Sequence, residues 1–143
     1  MKTEADHNDA QIILKLYELR REAVMREARN FMLGAFDTRT FEPVNLVATS
    51  FGSPENAWYR QVTSYWEMAA SFVNRGVLSA ALFADNCGEG LYIYAKLEAH
   101  IPKLREIGSP AFLKQIEKAM ADHPVIRERF QGIQAVVKKR MGQ

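Results

Sequence analysis

The chain has 143 residues, 48% hydrophobic and 25% charged, with one cysteine and a net charge of +2. That length fits a single domain spanning residues 1–143, which can bury a core without a disulfide or a structural metal. The lone Cys87 excludes an intrachain bridge and fits a reducing, cytoplasmic compartment. So small a net charge gives no argument for a polyanionic partner, although residues 1–95 sum to −3 and residues 96–143 to +5.

Residues 1–8 read as a polar tail without the apolar run of a signal peptide. Asn8 and Gln11 have the spacing of a capping box. Beyond them Ile13, Tyr17, Val24, Ala28 and Phe31 share one face, with Leu16 beside them, opposite Lys15, Glu18, Glu22, Arg26 and Arg29. This predicts one amphipathic helix of about six turns, stopping at Gly34. Thr40 caps a short second helix that ends at Gly52. Ser53, Pro54 and Glu55 are a strong restart, and the third helix runs to Gly76. Ser79 opens a short fourth helix, "AALFADN".

Tyr94, Leu97, Ile101 and Leu104 keep a 3-4-3 rhythm with a kink or break at Pro102. Tyr92–Tyr94 also suit a strand, but no other segment offers a partner. Ser109 and Pro110 repeat the restart ahead of Leu113, Ile116 and Met120. The last helix carries Ile126, Phe130, Ile133 and Val137 on one face, with Gly132 a weak point inside it. The expected fold is therefore all-α, a single-domain antiparallel helical bundle of about five to seven helices. The longest apolar stretch is interrupted by Asn74, Arg75 and Gly76, so no membrane span is expected.

Most of the chemistry available to this chain lies on the third helix. At 100° per residue, its apolar residues from Trp58 to Val73 fill an arc of roughly 200°, and Glu67 falls opposite Trp58 among Thr63, Ser64, Ser71 and Asn74. The simpler reading is a solvated or hydrogen-bonded surface glutamate. The sharper reading is a groove: the strip around Glu67 is short-chained, and a carboxylate there beside Arg60 suits ligand recognition. Arg60, Tyr65, Glu67, Asn74 and Cys87 are the candidate ligand-binding residues. An arc this wide also exceeds what a small bundle covers, which places Tyr59 and Trp66 in the interface of an expected homodimer of about 1,600 Å².

Other chemistry finds little support. Cys87 in "DNCGEG" has no second cysteine or histidine beside it, and the stretch lacks the pattern of a calcium or phosphate loop. His7, His100 and His123 have no partner at a metal-ligand spacing, and no nucleophile elbow is present. No catalytic residue, metal or cofactor is assigned. "VVKKR" near the C-terminus suits a helix end better than nucleic acid, because aromatic and glycine interleaving is missing.

The segments "YELRREAVMREARNF" and "YWEMAASFVNRG", followed by "LF" and "GEGL", resemble a bacterial family of small helical proteins known only as a domain of unknown function. The resemblance covers Leu16 to Ile107. It implies an all-α fold and a bacterial source, and it carries over no substrate, cofactor or catalytic residue. Two functions follow from the residues: a non-enzymatic protein-interaction module acting as a homodimer, or a small-ligand binding protein or enzyme built on the Glu67–Arg60 groove.

Overall fold

The computed structural model describes Lys2 and residues 4–142; Met1 and Thr3, within the expected N-terminal tail, and Gln143 lie outside the described residues. The described residues form nine α-helices and no strand, which settles Tyr92–Tyr94 as helical. They are α1 (His7–Arg20), α2 (Ala23–Asn30), α3 (Phe41–Thr49), α4 (Pro54–Asn74), α5 (Ala80–Asn86), α6 (Gly88–Leu97), α7 (Ile101–Ile107), α8 (Lys114–Asp122) and α9 (Pro124–Arg140). A π-helical turn, Phe31–Ala35, extends α2, and a 3-10 turn, Glu98–His100, separates α6 from α7 just before Pro102.

The first helix starts two residues earlier than Asn8 suggested. Asp6 accepts from the Asp9 backbone N–H at 3.1 Å, and the Asp9 carboxylate accepts from that of Asp6 at 2.7 Å, a reciprocal capping box. Asp9 is fully buried, and its carboxylate also accepts from the Ser79 backbone N–H and pairs with Lys2 at 2.8 Å. Lys2, then the backbone N–H groups of Asp6 and Ser79, hold the Asp9 carboxyl well below its ordinary range. Asp9 thus completes the capping box of α1 and ties it to the start of α5.

The expected six-turn helix is two helices. Glu22 turns its carboxylate onto the backbone N–H groups of Val24 and Met25, at 3.1 and 3.0 Å, and becomes the cap of α2. The break rotates the burial pattern: Leu16, Met25 and Ala28 point inward, whereas Tyr17 and Val24 are exposed. At the far end of α2, buried Lys96 donates to the carbonyls of Met32 and Phe36, at 2.8 and 2.9 Å, and closes the π turn.

Helix α4 is the axis of the structure. It lies between α2 and α8 and also meets α3, α5 and α6, while α6 packs on α9. Ser53 caps it through the Asn56 N–H at 3.1 Å, and Gly76, at φ 74°, turns the chain away beyond its end. Gly90 of α6 crosses directly over Trp66: a Cβ there would come within 3.0 Å of that side chain. Trp66, Val62, Ala69, Phe83, Leu91 and Ile126 are inaccessible to solvent within one continuous core.

Candidate functional site

The buried face of α4 is centred on Trp66. Asn56, Tyr59, Val62, Thr63, Trp66, Ala69, Ala70 and Val73 are buried, whereas Met68, on the apolar arc, is 40% exposed. Trp58 and Glu67 lie at opposite rims of this face, both half-buried. Glu67 is thus hydrogen-bonded rather than fully solvated. It faces α8, and its two carboxylate oxygens accept from the backbone N–H groups of Gln115 at 2.9 Å and Ile116 at 3.0 Å.

The need for this contact starts in the α7–α8 connection. Ser109 and Pro110 form a turn rather than a helix start, with the Ser109 hydroxyl accepting from the Ala111 N–H. The helix begins only at Lys114, after Leu113, which takes the left-handed conformation at φ 57° and buries its side chain. Leu113 has no side-chain acceptor for the first N–H groups of α8, and Glu67 supplies one from another helix. Burial raises the Glu67 pKa, and the Gln115 and Ile116 N–H groups partly offset that rise.

On its other flank Glu67 lines a groove of about 690 Å³ bounded by the end of α3, by α4 and by the α7–α8 connection. Phe51, Tyr59, Leu104, Ile107 and Phe112 supply apolar walls, with Tyr59 stacked on Phe112 at 5.8 Å between ring centres. Thr49, Arg60, Thr63, Ser64, Glu67 and Ser109 supply the polar groups. Arg60 is positioned through buried Asn56, which accepts from the Arg60 Nε–H at 2.9 Å and donates to the carbonyls of Val47 and Ala48. Among the described residues no acid pairs with Arg60. The arrangement presents one guanidinium without an acid partner beside an apolar trough, while the Glu67 carboxylate lining the same groove is already committed to backbone N–H groups.

The structure thus brings together two of the five expected ligand-binding residues, Arg60 and Glu67. Asn74 lies further along the α4–α8 seam, where it donates to the backbone and side-chain oxygens of Gln115, both at 2.8 Å. Tyr65 faces α1 and donates its hydroxyl to the Leu16 carbonyl. Cys87 is 1% exposed, and burial pushes its thiol up to about 12. Its reaction with a disulfide reagent at pH 8 is therefore expected to run at least about a hundredfold slower in the native protein than in the urea-unfolded chain, read by absorbance. Equal rates would mean that Cys87 is accessible.

The two residues expected in an interface are core residues instead. Trp66 is fully buried, and Tyr59 is 6% exposed, closed in by Phe36 and Phe112. Their neighbours within the chain supply the cover that a second copy was expected to provide. A cluster that the residue patterns did not reveal surrounds Trp66: its Nε1–H donates to Glu89 at 3.0 Å, and Arg29 pairs with Glu89 at 2.8 Å. The sequence signal for it was "GEG", an acid between two glycines that let α6 approach.

Among the described residues no group of three or more His, Cys, Asp or Glu side chains is placed to hold a metal ion, and no helix is long and apolar enough to cross a membrane. The family model described as "Domain of unknown function (DUF4760)" matches residues 5–122, a wider span than Leu16–Ile107, and the chain belongs to that family. No curated protein and no solved structure matches the chain.

Proposed function

We propose that this member of the family is a non-enzymatic binding protein whose groove takes a small amphipathic molecule with an anionic head. The observation that carries the reading is the Arg60 guanidinium, unpaired by any acid of the described residues, at the edge of a 690 Å³ groove with aromatic and aliphatic walls. That volume is within the ordinary range for small-molecule pockets, about 300–1,000 Å³. A carboxylate or sulfonate on Arg60 would leave the ligand's apolar body against Phe51, Ile107 and Phe112. A cytoplasmic location belongs to the same reading and is supported by the single buried thiol.

Isothermal titration with decanoate and decylammonium tests this. Decanoate is expected to bind at least about tenfold more tightly, and Arg60→Ala to remove that preference, since a charge-assisted contact is lost. Ala48→Trp, which fills the groove from α3, is expected to abolish binding of both. Equal affinity for the two probes, or decanoate binding that is indifferent to both substitutions, contradicts the proposal.

A second reading, the homodimer, is favoured by the rim of the same groove. Phe51 is 79% exposed, Ile107 50% and, on α3 nearby, Leu46 66%. A two-fold contact across this rim would cover them. Sedimentation equilibrium of the native protein and of Phe51→Lys distinguishes the outcomes: a dimer that the lysine dissociates supports this interface, and a native monomer ends it.

A further inference from the structure

A second cleft, of about 510 Å³, shares no lining residue with the Arg60 groove and lies where the end of α1 and helix α9 approach the start of α6. Three guanidinium groups line it: Arg20 from α1, and Arg129 and Arg140 from α9. None is ion-paired with a described residue. Aromatic rings and backbone hold two of them instead. Arg20 lies over the Tyr17 and Trp66 rings at 5.2 and 5.5 Å and donates to the Asn86 carbonyl at 3.5 Å. Arg140 lies over the Tyr92 ring at 5.7 Å and donates to the Tyr92 hydroxyl at 3.1 Å. The third, Arg129, rests against Gly88, where a Cβ would stand 3.1 Å from its Nη2.

Two acids line this cleft, and neither forms an ion pair with these three arginines. Glu89 is occupied by Arg29 through bonds of 2.8 and 3.0 Å and by the Trp66 indole N–H. Asp85 is the one other carboxylate lining it. The adjoining depression, which shares Tyr92 and Arg140, adds Lys96, whose ammonium is already committed to two carbonyls, and Arg39, which is paired with Asp37 at 2.9 Å. With Glu89 paired to Arg29, Arg20, Arg129 and Arg140 still outnumber the remaining acids, Asp85 in the cleft and Glu128 in the depression beside Arg129. Guanidinium forks that outnumber the acids around them repel one another, and a planar or tetrahedral oxyanion relieves that repulsion with bidentate hydrogen bonds.

We infer that this cleft binds a small molecule carrying a diphosphate or comparable multiply charged phosphoryl group, independently of the Arg60 groove. Leu33 and Ile133 offer apolar contact to the organic part of such a molecule. Arg129 and Arg140 belong to α9, beyond residues 5–122 that match the family, so the cleft combines residues inside and outside that segment.

The test is calorimetric titration of the full chain with inorganic pyrophosphate. One site per chain is expected, with affinity above that for inorganic phosphate. Arg129→Gln with Arg140→Gln is expected to weaken it at least about tenfold, consistent with loss of charge-assisted hydrogen bonds. Lys138→Gln with Lys139→Gln removes the same charge from the same helix outside the cleft and is expected to change it no more than about twofold. Arg60→Ala is expected to leave it unchanged, which separates this site from the groove. Absence of pyrophosphate binding overturns the inference. So does equal weakening by the lysine pair, which would mean attraction to net charge alone. A single-stranded oligonucleotide that binds through Arg129 and Arg140 more tightly than pyrophosphate also overturns it, in favour of a nucleic-acid surface.

Discussion

Truncation of Trp66 to alanine is expected to lower the stability of the protein by about 3–5 kcal/mol, as deletion of a fully buried large aromatic does. The indole is inaccessible to solvent, packs against Gly90 and stands edge-on to Tyr65 at 4.8 Å between ring centres. Its N–H also satisfies one oxygen of Glu89. Alanine would leave a cavity at the centre of the buried face of α4 and return that oxygen to Arg29 alone. Urea unfolding monitored by circular dichroism measures the loss, and a parallel fall in the melting temperature of about 10–15 °C is expected for a chain of this size. Trp66→Phe separates the two contributions: it keeps most of the ring and removes the donor, and is expected to cost about 1–2 kcal/mol. A Trp66→Ala loss below about 1 kcal/mol would show that the indole is not in the core.

Replacement of Glu67 by alanine is expected to cost about 2 kcal/mol, the upper range for loss of a helix cap. Two backbone N–H groups of α8 would lose their acceptor, and Leu113 has no side-chain oxygen to replace it. Glu67→Gln is expected to cost about half as much, because the amide retains one acceptor oxygen and loses the charge that suits a helix N-terminus. Both effects exceed the roughly 0.5 kcal/mol ceiling usual for a surface substitution. Hydrogen exchange offers a local readout: the Gln115 and Ile116 amides are expected to lose protection in Glu67→Ala by more than the global destabilisation explains. If Glu67→Ala changes stability by less than about 0.5 kcal/mol, the carboxylate does not cap α8.

The elements that were legible in the sequence are those whose signals are local. Ser53 with Pro54 opens α4, Ser79 opens α5, and Pro102 coincides with the change from 3-10 to α-helix, because each acts on backbone groups within one turn. Ser109 with Pro110 has the same local chemistry as Ser53 with Pro54, yet α8 waits until Lys114. There burial of Leu113 and an acceptor 48 residues distant in sequence decide the boundary. The first cap, by contrast, is local: Asp6 and Asp9 bond each other's backbone N–H groups three residues apart, a pairing of two acids rather than the expected Asn8 with Gln11.

The site was half legible for a related reason. A helical wheel weights every apolar residue alike, so Met68, Phe72, Tyr65 and Trp58 drew the expected buried arc toward one rim. The partners α2 and α8 set the real arc, which buries Asn56 and Thr63 and turns Glu67 toward protein. Placing Arg60 and Glu67 on one short-chained strip needed only helical spacing, and the groove beside them does contain both. Tyr65, on the apolar arc, and Cys87, in the "DNCGEG" turn, were expected to join that strip across a groove between helices, whereas the fold sends them to the side facing α1 and into the core.

The most direct test of the groove as a ligand site is amide chemical-shift mapping of the native protein during titration with decanoate. The amides of Gln115 and Ile116 report on the Glu67 carboxylate that accepts from them, and those of Arg60, Thr63 and Phe112 report on the walls. Saturable shifts are expected at these five positions and none at Trp66 or Cys87, within the core. Shifts spread over the surface, or confined to residues outside the groove, would contradict the groove as a ligand site.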